Sequence, residues 1–119
     1  MSRFHTILLT DDEPDLREVV AETLAEAGYA VLTATDGYDA VRVLSENWVN
    51  LLITDVTMPG IDGFELARQA KVMRPSIKVI YISGYGVDSA KSAGLTYGPA
   101  LQKPMRIGDL LAEVSRQLA

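Results

Sequence analysis

Leu51-Leu52-Ile53-Thr54-Asp55-Val56-Thr57-Met58-Pro59-Gly60-Ile61-Asp62-Gly63 is the stretch on which the fold turns. Its first three residues form an unbroken apolar run, which suits a strand covered on both faces, as in a parallel sheet. A carboxylate, Asp55, follows that run. Asp62 then stands where a helix N-cap belongs, with Glu65 three residues on, resembling a capping box with Asp in the Ser/Thr place. A strand, an acidic residue at its end and a helix leading away are thus written into one short segment.

The same alternation extends in both directions. Ile7-Leu8-Leu9, Ala30-Val31-Leu32 and Val79-Ile80-Tyr81-Ile82 are further apolar runs, and Ala100-Leu101 is a weak one. Helical patterns lie between them. Leu16, Val19, Val20, Thr23, Leu24 and Ala27 recur at helical spacing, with Pro14 suited to a first turn and Gly28 to a C′ stop. Ala40, Val41 and Leu44 follow Asp36-Gly37, and Ile107, Leu110, Leu111, Val114 and Leu118 form a last amphipathic face. The pattern predicts strand-helix repeated five times: a single 1–119 domain of the α/β class, with parallel strands, right-handed crossovers and three layers. The fourth helix, over residues 86–94, has few large apolar residues and is expected to be short.

Bulk properties narrow the function. The 119 residues fit one compact domain, and a hydrophobic fraction of 48% is enough for an ordinary core. A net charge of −5 argues against broad contact with a nucleic-acid backbone. The absence of Cys excludes a disulfide scaffold and a thiolate metal site. No stretch fits a secretory leader or a membrane span. The expectation is a soluble cytoplasmic protein, or a domain cut from a larger one, and the start at Met1 favours the stand-alone form.

Polar residues follow the strands. Asp11 and Asp12 come after the first, Asp55 after the third, Ser83 after the fourth and Lys103 after the fifth. In open α/β sheets, ligands bind outside the carboxyl ends of the strands. If the strand order is 2-1-3-4-5, a recurrent doubly wound order rather than one deduced from these residues, the three carboxylates converge and Ser83 and Lys103 flank them. Such carboxylates repel unless a cation or proton neutralises them. An all-oxygen set suits a hard cation, and Mg²⁺ is held by few carboxylates while keeping several waters. A carboxylate can itself be a nucleophile that forms an aspartyl-phosphate. Lys103 supplies a positive charge, and the Ser83 hydroxyl can donate to a phosphoryl oxygen. Taken singly, Asp11 or Asp12 could be a helix cap, Ser83 a turn residue and Lys103 a surface lysine. Their joint placement favours a site.

Four segments resemble those of response-regulator receiver domains, and the resemblance covers essentially the whole chain: Leu8-Leu9-Thr10-Asp11-Asp12-Glu13-Pro14, residues 52–63 with Asp55, Ile82-Ser83-Gly84-Tyr85, and Leu101-Gln102-Lys103-Pro104. The resemblance implies a flavodoxin-like (βα)5 fold in the order 2-1-3-4-5. It implies a phosphorelay function, with Asp55 accepting a phosphoryl group from a histidine kinase or histidine phosphotransfer protein. Asp12, Asp55 and the backbone carbonyl of Thr57 would ligate Mg²⁺, and Asp11 would act through a metal-bound water. Lys103 would contact the phosphoryl group and Ser83 would swing toward it. Lys103-Pro104 would be a cis peptide, and Gly60 and Gly63 would let the loop after Asp55 bend. The chain would not be an enzyme beyond Mg²⁺-dependent self-phosphorylation and self-dephosphorylation.

Two departures bear on signalling. Ala100 stands where the family's switch aromatic is expected, and the stretch from Ser83 to Lys103 is shorter than in many members. Output is expected to run through a downstream protein, a homodimer, or onward passage of the phosphoryl group, which needs no switch aromatic, with no direct nucleic-acid or membrane contact. Because of Ala100, the alternative is a phosphorylation-independent pseudo-receiver that only binds proteins. A haloacid-dehalogenase-like phosphatase would want Asp-x-Asp, where this chain has Asp55-Val56-Thr57, and no Walker A or dinucleotide fingerprint is present. Thr57 and Tyr85 are read as setting dephosphorylation through water access. His5, Trp48 and the remaining Tyr and Met residues are read as structural.

Overall fold

The computed structural model describes residues 5–84 and 97–119. Among them the chain runs β1 (Thr6–Thr10), α1 (Pro14–Glu26), β2 (Ala30–Ala34), α2 (Gly37–Glu46), β3 (Leu51–Asp55), α3 (Gly63–Met73), β4 (Lys78–Ser83), β5 (Ala100–Gln102) and α4 (Ile107–Gln117). The strands make one parallel sheet in the order β2-β1-β3-β4-β5, the flavodoxin-like arrangement expected. Each apolar run forms a strand. The helix expected over residues 86–94, and Tyr85, lie outside the described residues.

Side-chain alternation explains the layers. Leu8 and Leu52 point to one face of the sheet, where they pack with Ala40, Val43 and Leu44 of α2 and Leu66 and Ala70 of α3. Ile7, Leu9, Leu51, Ile53, Ile80 and Ile82 point to the other, against Val20 and Leu24 of α1 and Leu110 and Val114 of α4. β3 lies between β1 and β4 and is buried along its whole length. That is why its sequence carries no alternation of polar and apolar residues.

The helix ends follow local chemistry. Pro14 opens α1, and Gly28 beyond its end takes φ +104°, a left-handed conformation that suits glycine. Asp36 caps α2 by accepting from the Asp39 amide, and Asp62 caps α3 by accepting from the Glu65 amide, both at 2.8 Å. The Glu65 carboxylate, expected to complete a capping box, is held by Arg68 and Gln69. Gly63 sets how closely α3 meets the sheet: a Cβ there would stand 2.3 Å from the Asp55 carbonyl oxygen and 2.8 Å from Val56 Cα. The first turn of α3 is therefore pressed onto the end of β3.

Candidate functional site

The carboxyl edge of the sheet gathers most of the residues singled out from sequence. Asp11 leaves β1 directly, and Asp55 ends β3, the neighbouring strand. Carboxylate oxygens of Asp11, Asp12 and Asp55 all lie within 4.8 Å of one another. Asp11 and Asp55 are buried, at 2% and 6% exposure, while Asp12 faces solvent. Lys103 enters from the far side of β4. Its Nζ donates to Asp55 Oδ2 at 2.8 Å and stands 3.5 Å from Glu13 Oε1 and 3.9 Å from Asp11 Oδ2. The Lys103 amide donates to the Ser83 carbonyl at 2.8 Å, which fixes where that lysine leaves the sheet. The Lys103-Pro104 peptide is cis, as expected.

Ser83 is buried at the end of β4, one residue past Ile82, which pairs with Asp55 across the ladder. The Thr57 amide donates to Asp55 Oδ1 at 3.3 Å, so the loop after β3 folds back over the carboxylate. Asp11 Oδ1 also accepts from the Glu13 amide at 2.8 Å, an Asx-turn just ahead of α1 rather than the helix cap considered for it, since Glu13 is the N-cap and makes no side-chain cap bond. The turn and site membership are compatible because that carboxylate has a second oxygen, Oδ2, on the Lys103 side.

The charges are unbalanced. Burial raises the pKa of Asp11, the nearby Asp55 and Glu13 charges add to the rise, and the Glu13 amide and Lys103 oppose it. For Lys103, burial works against its charge, but the hydrogen bond to Asp55 and the fields of Asp11, Asp55 and Glu13 outweigh it and hold its pKa up. Asp11, Glu13 and Asp55 surround this one ammonium, and Asp12 adds a further carboxylate to the cluster, so acidic groups outnumber the basic one. Its donors are all oxygens, the chemistry of a hard divalent cation. The residues present fit Mg²⁺.

Glu13 lies within the Leu8–Pro14 motif, but its residue type alone assigns it no role. Its place between Asp12 and Pro14, at the N-cap of α1, is the signal that could have shown it pointing at the same rim. Ala100 lies in β5 and pairs in register with Tyr81, whose buried ring packs at 5.4 Å from that of Phe64. Trp48, read as a packing or edge residue, is 61% exposed and carries the Arg74 guanidinium 4.2 Å over its ring.

A sequence profile of the response regulator receiver domain matches residues 7–115. The chain belongs to that family. This receiver is 35% identical over 114 residues to the response regulator receiver protein CpdR of Brucella abortus, a match covering 94% of this chain and 95% of that protein. It also matches sensor histidine kinases of Escherichia coli, of which it spans 11% of the length. Among solved structures, the receiver domain of the hybrid histidine kinase CckA is 39% identical with a TM-score of 0.83, covering 96% of this chain and 99% of that one. The response regulator TrrA of Thermotoga maritima, solved in complex with Mg²⁺-BeF, is 30% identical with a TM-score of 0.83, covering 95% and 98%. The receiver is thus a phosphorelay component of two-component signal transduction, and the phosphorylation-independent alternative raised by Ala100 is not favoured. Among the described residues no helix is long and apolar enough to cross a membrane.

Proposed function

We propose that residues 1–119 act as one receiver domain whose phosphoacceptor is Asp55. The observation that carries this reading is the pairing of a buried Asp55 with Lys103 at 2.8 Å inside a cluster of acidic oxygens. A carboxylate oxygen of Asp55 attacks the phosphorus of a phosphohistidine on a histidine kinase or histidine phosphotransfer protein. The P–N bond breaks, the imidazole nitrogen keeps the electron pair, and an acyl phosphate forms on Asp55. Burial keeps Asp55 poorly hydrated, which favours its use as a nucleophile and shields the product from water. Lys103, already in contact with the attacking group, moves its hydrogen bond to a phosphoryl oxygen as the charge shifts there. The Ser83 hydroxyl donates to another.

Asp12, Asp55 and the Thr57 carbonyl would hold Mg²⁺, with Asp11 acting through a metal-bound water. Mg²⁺ supplies charge neutralisation, both for the clustered carboxylates and for the transferred phosphoryl oxygens. The relative TrrA, solved with Mg²⁺-BeF, supports this choice of ion. The chemistry stops at self-phosphorylation and self-dephosphorylation, with Thr57 beside the phosphoryl position and able to gate water. The phosphodonor would be met in the cytoplasm, and the phosphorylated face would be read by a downstream protein or a second copy.

Incubation with acetyl phosphate and Mg²⁺, followed by intact-mass measurement, tests the reading. One phosphoryl group is expected on the wild type and none on Asp55→Ala. Equal phosphorylation of the two proteins would refute it.

A further inference from the structure

The loop between β3 and α3 carries Thr57, and α2 grips that loop at two adjacent points. A Cβ built on Gly37 would lie 2.7 Å from Ile61 Cβ and 2.9 Å from the Ile61 carbonyl oxygen. Ile61 therefore fits into the gap left by a missing side chain at the first residue of α2. One residue on, the relation reverses. A Cβ built on Gly60 would lie 2.6 Å from Tyr38 Cε2 and 3.5 Å from Cζ, so the Tyr38 ring edge rests on the bare backbone of Gly60. Gly60 has φ +78°, a left-handed turn that glycine adopts without strain. The two contacts interlock: a loop side chain against a helix glycine, and a helix side chain against a loop glycine. Met58, between them and Thr57, is buried in the core shared by α2 and α3.

Tyr38 is 66% exposed, so core packing does not explain why its ring lies on the loop. What it covers is Gly60, the left-handed turn three residues past Thr57 in the same loop. We infer that Tyr38 is a positioning residue: by clamping Gly60 from α2, it holds the Thr57 carbonyl ready for the divalent cation. This rests on the reading of the site given above. Partners that orient a metal ligand without touching the metal commonly matter for affinity. The clamp also couples the metal to α2, since a ligand that fixes the loop must stiffen its contact with Tyr38.

The test uses the full chain, with Tyr38→Ala and Tyr38→Phe, and Mg²⁺ binding measured by calorimetry. Tyr38→Ala is expected to bind Mg²⁺ about tenfold more weakly. Tyr38→Phe keeps the ring and is expected to bind as the wild type does. Hydrogen exchange without metal provides a second readout: the amides of Thr57, Met58, Gly60 and Ile61 should exchange faster in Tyr38→Ala, with the sheet unchanged. Acceptance of phosphate at saturating Mg²⁺ should return toward the wild-type rate, because the loss lies in metal affinity. If Tyr38→Ala matches a Mg²⁺-binding wild type in both affinity and loop exchange, the inference is overturned and the reading of the site stands. If the wild type binds no Mg²⁺, the reading falls and the inference with it.

Discussion

Lys103 sits between two demands. It neutralises Asp55 through a 2.8 Å hydrogen bond and lies within 3.9 Å of Asp11, so in the metal-free protein it is the charge that lets buried carboxylates stand together. A divalent cation would do the same work from the other side. Lys103→Ala should therefore lower metal-free stability by about 1–3 kcal/mol, since it leaves Asp11 and Asp55 repelling each other. Mg²⁺ should then stabilise the variant more than it stabilises the wild type, while acceptance of phosphate falls. Urea unfolding with and without Mg²⁺ checks this; a smaller Mg²⁺ effect in the variant would contradict it. At this scale Asp11, Asp12, Asp55, Ser83 and Lys103 were legible because each follows an apolar run and strand ends share one edge. Glu13 and Tyr38 were not, because their contacts depend on the path of a loop, which periodicity does not encode.

Among the elements, α3 bears most directly on the site. Its first residue, Gly63, lies where a Cβ would stand 2.3 Å from the Asp55 carbonyl oxygen. Replacing a helix glycine by alanine ordinarily gains up to about 1 kcal/mol. Here the atoms in the way are backbone and cannot swing aside, so Gly63→Ala should instead cost roughly 1–3 kcal/mol and displace Asp55. Denaturant unfolding gives the sign directly. The same helix makes a pH prediction. The hydrogen bond from Arg68, with one from Gln69, lowers the Glu65 carboxyl from 4.5 to about 2. A depressed acid contributes stability above its unfolded pKa and loses it as pH falls through the folded value. Glu65→Gln should thus be less stable than wild type near neutrality, and the gap should close between pH 4.5 and about 2. The gap should be small and shrink in salt, since the pair is exposed; a gap that widened on acidification would reverse the sign. The elements were legible where apolar runs were long, as in β3. β5 has only three residues, and its weak Ala100-Leu101 run reflects an edge strand with little to bury.

For the whole molecule, the two packed faces follow from parity along the strands. Leu8 and Leu52 face α2 and α3, whereas Ile7, Leu9, Leu51 and Ile53 face α1 and α4. The sequence predicts that both faces are covered, but not which strands are neighbours. Strand order depends on how crossovers pack, and no single residue carries it. The order matters most for function, because placing β1 beside β3 brings Asp11 and Asp12 to Asp55. The central claim is that this convergence makes Asp55 the acceptor. The most direct measurement is to phosphorylate the chain in Mg²⁺, reduce it with tritiated borohydride and map the label, since reduction turns an aspartyl-phosphate into homoserine. Labelled homoserine is expected at position 55 alone. Label at Asp11 or Asp12 with none at 55, or no label in a protein that has taken up phosphate, would contradict it.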